Sequence, residues 1–222
     1  MTHLTETELE KRAAAEAAAA LVREGCTVGL GTGSTVAYLL PALAQRELDI
    51  RCVPTSPATE EMARALGLHV EPFDRLDRLD IAIDGADQID PSGWLVKGRG
   101  GAHTREKIVA AAAKRFVVIA SHDKLVDALF PPVPLELLPY GCRATLRMLA
   151  PAALRDLPPS PDGGLIADHL GPLEHPTELA ARLADIPGVI EHGLFPPDLV
   201  SEVLVGHGSE VHRFVPGSGS RL

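Results

Sequence analysis

Residues 97–107, Lys-Gly-Arg-Gly-Gly-Ala-His-Thr-Arg-Glu-Lys, set the cations Lys97, Arg99, Arg105 and Lys107 and the carboxylate of Glu106 beside a glycine-rich turn. Thr104 is expected to N-cap the helix that follows. That puts Glu106 in the first turn, where the helix dipole favours a carboxylate whether or not it reacts. Arg105 and Lys107 are expected on the solvated helix face, and His103 reads as a loop histidine. Upstream, Asp84-Gly85-Ala86-Asp87 follows the apolar run Asp80-Ile-Ala-Ile83. Its two carboxylates stand at the carboxyl end of a strand, where open α/β sheets place their ligands.

Gly29-Leu-Gly31-Thr32-Gly33-Ser34-Thr35 lies at a strand-to-helix junction. Glycines there let backbone amides close on an anion, and the hydroxyls donate further hydrogen bonds. Ser34 occupies the last position of Gly-x-Gly-x-x-Gly, and Pro54-Thr55-Ser56 offers no acid for a ribose, so a dinucleotide loop is excluded. The absence of Gly-Lys-Ser/Thr excludes a nucleoside-triphosphate loop, which leaves a small phosphate or carboxylate ligand. Thr55, Ser56 and Thr59 serve equally as helix caps or as ligand contacts. Together these loops supply an anion cradle, carboxylates and a lysine. Such a set suits proton transfer next to a carbonyl: a carboxylate removes the proton and a cation stabilises the oxyanion.

The elements that must position these groups alternate. Thr5-x-x-Glu8 opens an Ala-rich helix that runs to Gly25. Strands are expected at 26–31, 50–53, 79–83, 94–97 and 115–120. Helices are expected from Val36, from Ser56-Pro57 to Gly67, and over 104–114. Strands apolar on both faces and alternating with helices imply a mostly parallel, Rossmann-like sheet covered on both sides, an α/β class. Near residue 130 the pattern changes at Phe130-Pro-Pro-Val-Pro134. Helices near 143–150 and 177–184 and strands at 165–168 and 189–194 then read as a smaller inserted α+β domain. The expected division is 1–130 for the main domain, 131–205 for the insert and 206–222 for a C-terminal strand returning to the main domain. Residues 199–205 and 210–215 read as a hairpin.

The 222 residues are 45% hydrophobic and 4% aromatic, so an aliphatic core is expected. A formal charge of −9 opposes phosphodiester backbones and argues against nucleic acid as a partner. No apolar run reaches the roughly 20 residues that span a bilayer. Glu6, Glu8, Glu10 and Glu16 interrupt the N-terminal stretch, which reads as helix and not as a signal peptide, so a cytoplasmic location is expected. Cys26, Cys52 and Cys142 form no Cys-x-x-Cys and read as buried thiols, and the nine histidines show no His-x-x-x-His. No metal and no redox cofactor is expected.

Gly-Thr-Gly-Ser-Thr (31–35), Thr-Ser-x-x-Thr (55–59), Asp-Gly-Ala-Asp (84–87) and Lys-Gly-x-Gly-Gly-Ala-x-Thr-Arg-Glu-Lys-Ile (97–108) resemble ribose-5-phosphate isomerase, type A, in order and spacing. Ser121-x-Asp-Lys124 and Pro187-Gly-Val-x-x-x-Gly-Leu-Phe195 extend the resemblance over nearly the whole chain. The resemblance implies interconversion of ribose 5-phosphate and ribulose 5-phosphate through an enediolate. It implies Glu106 as the base, Asp84 as an aid to ring opening and Lys97 as the stabiliser of the enediolate. It also implies substrate contacts from Thr32, Gly33, Ser34, Thr35, Asp84, Gly85, Ala86, Asp87, Lys97, Gly98, Arg99, Gly100 and Lys124, and a homodimer or homotetramer. Three positions depart from the family pattern. Arg99 replaces a usual glycine, Gln88 replaces a usual acid, and His103 replaces a usually apolar residue. An Arg99 forced to positive φ would strain the loop; otherwise it adds a phosphate contact. A phosphosugar-sensing module is the alternative class, needing the anion loop but no base.

Overall fold

Thr5 closes a capping box with Glu8: the Thr5 hydroxyl accepts the Glu8 amide at 3.3 Å, and the Glu8 carboxylate accepts the Thr5 amide at 2.8 Å. The helix it starts, α1 (Glu6–Ala19), ends short of the expected Gly25. The computed structural model describes residues 4–216, so residues 217–222 of the expected C-terminal segment lie outside the described residues.

The chain continues through β1 (Thr27–Leu30), α2 (Val36–Ala44), β2 (Arg51–Pro54), α3 (Pro57–Ala65), β3 (His69–Val70), β4 (Ile81–Gly85), β5 (Gln88–Ile89), β6 (Leu95–Val96), α4 (His103–Ala112) and β7 (Phe116–Ser121). It then forms β8 (Val133–Leu137), α5 (Cys142–Leu149), β9 (Ala152–Leu154), β10 (Leu165–His169), α6 (Pro176–Ala184), β11 (Val189–His192) and β12 (Leu194–Phe195). The hairpin β13 (Glu202–His207) and β14 (Glu210–Phe214) closes it. Seven strands make the main sheet in the order β14-β13-β7-β4-β1-β2-β3, parallel except for the β13–β14 pair.

Successive side chains of a strand point to opposite faces, and the main sheet uses both. Ile81, Ile83, Val117 and Ile119 pack with Ala14, Ala15, Ala18, Leu39 and Leu40 of α1 and α2. Ala82, Phe116, Val118 and Ala120 pack with Val109 and Ala110 of α4 on the other side. Aliphatic side chains thus fill both layers, as the composition requires. From β1 the chain steps outward to β2 and β3, then restarts at β4 and steps the other way to β7 and β13. The strand order therefore reverses between β1 and β4, the place where such sheets open a crevice at their carboxyl ends.

A four-stranded antiparallel sheet, β11-β8-β10-β9, packs with α5 and α6 around Leu135, Leu137, Leu149, Leu179 and Leu183. A three-stranded ribbon, β12-β6-β5, joins the two sheets. The proline-dense stretch after residue 130 is more than a boundary, because β8 runs through it. Pro134 lacks a donor, yet its carbonyl accepts the Gly193 amide at 2.7 Å. The segment 199–205 was expected to end the insert. Instead β13 lies parallel to β7, with the chain back in the main sheet by Glu202 and not at 206. Val203 and Val205 face one core and Leu204 the other, a two-sided burial that only the large sheet provides. The short strands β3, β5 and β9, two or three residues each, carry no periodicity to read. The cysteines are free: Cys52 and Cys142 are buried, and Cys26 is half-buried.

Candidate active site

Gly31, directly after β1, lies against the carboxylate of Asp84 on neighbouring β4, so close that a Cβ on Gly31 would occupy the carboxylate's position. This contact holds Asp84 under the loop 31–35. Asp84 Oδ1 accepts the Thr32 amide at 3.1 Å and the Gly85 amide at 2.7 Å. Thr55 meets Thr32 hydroxyl to hydroxyl at 2.8 Å, and Thr59 donates to the Gly31 carbonyl at 2.9 Å. Ser56 caps α3 through the Thr59 amide. These three side chains brace the anion loop from beneath. Among the described residues, the amides of Ser34 and Thr35 meet no acceptor at the start of α2, which leaves two donors open there.

Lys97 follows β6 and reaches back toward β4. Its Nζ lies 2.9 Å from Asp84 Oδ2 and 3.1 Å from Glu106 Oε2, and it donates to the Gly85 carbonyl. All three side chains are buried, and two carboxylates share one ammonium. Burial alone would lower the pKa of Lys97, but Asp84 and then Glu106 outweigh it, so its pKa is raised and it stays charged. Burial pushes the Asp84 carboxyl up, against the pull of Lys97. Burial, and then the Asp84 charge, push Glu106 up to about 8 while Lys97 opposes them. One cation cannot fully compensate two buried anions, so the set retains a proton in a range useful to a general base.

The cavity above this set has a volume of about 360 Å³. It is lined by Thr32, Gly33, Ser34, Thr35, Gly85, Ala86, Asp87, Lys97, Gly98, Arg99, Gly100, Glu106 and Lys124. Asp84 lies just beneath, so the structure brings every residue of the expected set together. It adds Lys11, on α1, whose Nζ donates to Ser34 Oγ at 3.0 Å. A lone lysine on an Ala-rich helix belongs to no motif, and only the docking of α1 brings it to the loop. Among the described residues, no group of three or more His, Cys, Asp or Glu is arranged to hold a metal ion.

Several local expectations are corrected. Ala102, not Thr104, occupies the N-cap of α4, and the Thr104 hydroxyl instead donates to Glu136 of β8. Lys107 is not on a solvated face: it donates to Glu191 at 2.7 Å and to the His192 carbonyl at 2.6 Å, beneath β11. Lys97 and Lys107 stand 5.4 and 4.9 Å from the centroid of the Phe195 ring. His103 is fully buried at the start of α4 with its pKa lowered to about 4, chiefly by burial. Gly98 and Gly101 take the positive φ values of the loop, 100° and 74°, so Arg99 is unstrained. Gln88 exchanges hydrogen bonds of 2.8 and 2.9 Å with the Phe130 backbone, a neutral two-way contact that a carboxylate could not make.

A doubly wound α/β sheet whose switch-point cavity sets an anion loop against a buried carboxylate–ammonium–carboxylate group defines a class: enzymes of proton transfer on small anionic substrates. Within that class, the chain belongs to the ribose 5-phosphate isomerase A (phosphoriboisomerase A) family, whose model matches residues 51–210. It is 47% identical to ribose-5-phosphate isomerase A of Caulobacter vibrioides, with 93% of this chain and 98% of that protein covered. The solved ribose 5-phosphate isomerase A of Neisseria gonorrhoeae superposes with a TM-score of 0.90 at 32% identity, covering 96% of this chain and 98% of that one. A D-ribose-5-phosphate isomerase solved in complex with phospho-erythronic acid matches with a TM-score of 0.88 at 35% identity, covering 96% of this chain and all of that one.

Proposed function

We propose that this chain interconverts D-ribose 5-phosphate and D-ribulose 5-phosphate through an enediolate. The observation that carries the reading is the placing of Glu106 and Asp84 on either side of Lys97, beneath a cavity closed at one end by the anion loop. The phosphate is received by the open amides of Ser34 and Thr35, with Lys11 and Lys124 supplying charge. Asp84 assists opening of the furanose ring. Glu106 removes the C2 proton, and the C1 carbonyl becomes an oxyanion beside the Lys97 ammonium. The same proton returns to C1 while the hydroxyl proton passes from O2 to O1, which gives the ketose. Lys97 serves as a fixed cation whose full effect is felt where charge develops. Arg99 adds a cationic contact at the cavity mouth. We further propose a cytoplasmic homodimer or homotetramer acting without nucleic acid.

The test is a coupled assay for ribulose 5-phosphate formation by the purified chain. Turnover inhibited competitively by phospho-erythronic acid, whose carboxylate stands in for the enediolate, is expected. Binding of ribose 5-phosphate with no turnover would instead favour a sensor.

A further inference from the structure

The loop after Lys97 is gripped from outside the cavity by the small sheet. Arg155, directly after β9, donates through Nε and Nη2 to Asp168 at 2.8 and 2.6 Å, a two-pronged pair on β10. Its remaining nitrogen, Nη1, donates to the Arg99 carbonyl at 2.8 Å and the Gly98 carbonyl at 3.3 Å. The Arg155 amide is itself fixed on the Ile166 carbonyl at 2.9 Å. Every nitrogen of the guanidinium is engaged, and Arg155 is not among the residues lining the cavity.

A trans peptide points its C=O and N–H in opposite directions, and neither peptide of this loop is cis. With the Gly98 carbonyl on Arg155, the Arg99 amide faces the other way and donates to Asp87 Oδ2 at 3.0 Å. With the Arg99 carbonyl on Arg155, the Gly100 amide is turned away from Arg155, and Gly100 lines the cavity. Among the described residues this amide meets no acceptor. A Cβ placed on Gly100 would lie 3.9 Å from Thr32 Cγ2, so Gly100 stands beside the anion loop.

We propose that Arg155 is a positioning residue. By holding the Arg99 carbonyl, it aims the Gly100 N–H into the cavity as a donor to the bound sugar phosphate. A cation on the carbonyl also polarises that peptide and strengthens its N–H as a donor. The inference rests on the cavity being the isomerase site. Lysine cannot replace Arg155, because one ammonium cannot span Asp168 and two carbonyls as a guanidinium fork does.

The test is Arg155→Met, with KM and kcat for ribose 5-phosphate, Kd for phospho-erythronic acid and Tm all measured. KM and Kd are expected to rise together by about three- to tenfold, the worth of one hydrogen bond to bound ligand. A purely structural role would lower kcat through the folded fraction and leave KM and Kd at parent values, which overturns the proposal. Parent-like values throughout overturn it too. If Arg155→Met does not fold, Arg155→Lys decides on the same two constants, a rise supporting the proposal and parent values overturning it. An inactive parent would sink the isomerase reading by itself, while Kd in parent and variant would still judge Arg155.

Discussion

Asp84 and Glu106 approach the same ammonium, at 2.9 and 3.1 Å from Lys97 Nζ, although one stands on β4 and the other in the first turn of α4. The second carboxylate is the one left short of compensating charge.

Glu106→Gln keeps the shape of the side chain and removes its basicity. A fall in kcat of about 10²- to 10⁴-fold is expected, with KM little changed. Steady-state kinetics decide it, and a variant within tenfold of the parent would remove Glu106 as the base.

Because Glu106 is pushed up to about 8, its basic form is the minor one near neutrality. For the free enzyme, kcat/KM is expected to climb with pH and to level off above about 8. The stability contribution has the opposite sign. The folded chain holds a proton that the unfolded chain releases near 4.5, so this group's contribution falls between 4.5 and about 8 and is constant beyond. A profile of kcat/KM flat from pH 6 to 9 would contradict this arrangement.

Lys97→Met leaves the buried Asp84 carboxylate and its neighbour Glu106 without a cation. A loss of about 3 kcal/mol or more in unfolding free energy is expected, since removing one member of a buried ion pair leaves charge uncompensated. Activity is expected to vanish with it. Urea unfolding at neutral pH reads the first, and a midpoint equal to the parent's would count against the shared-cation geometry.

Gly31→Ala puts a methyl group where the Asp84 carboxylate lies. Displacing Asp84 moves the partner of Lys97, so kcat is expected to fall at least tenfold, with a stability cost of about 1–3 kcal/mol. Full activity in this variant would show that Asp84 tolerates displacement.

Arg99 has no backbone strain to relieve, so Arg99→Gly tests only the guanidinium. A severalfold rise in KM for ribose 5-phosphate is expected at low salt, shrinking as salt is added. An unchanged or lower KM would remove Arg99 from substrate binding.

The sequence alone was enough for the parallel α/β class, because strands buried on both faces must be apolar almost throughout, as Phe116 to Ala120 are. It was enough as well to single out the anion loop and Asp84, Lys97 and Glu106 as candidates, because glycine spacing and residue type survive without coordinates. It was silent where a residue acts through distant contacts. Thr104 has the look of a cap, but Glu136 lies within reach of its hydroxyl only after β8 has folded against α4. Lys107 looks solvated until β11 covers it. Lys11 gains its meaning from Ser34, and Arg155 from two carbonyls of the loop after Lys97. The sharing of one cation by two carboxylates was likewise decided in three dimensions. Charge and hydrogen bonding depend on distance and burial, and chain spacing fixes neither once strands from separate parts of the sequence meet at the switch point.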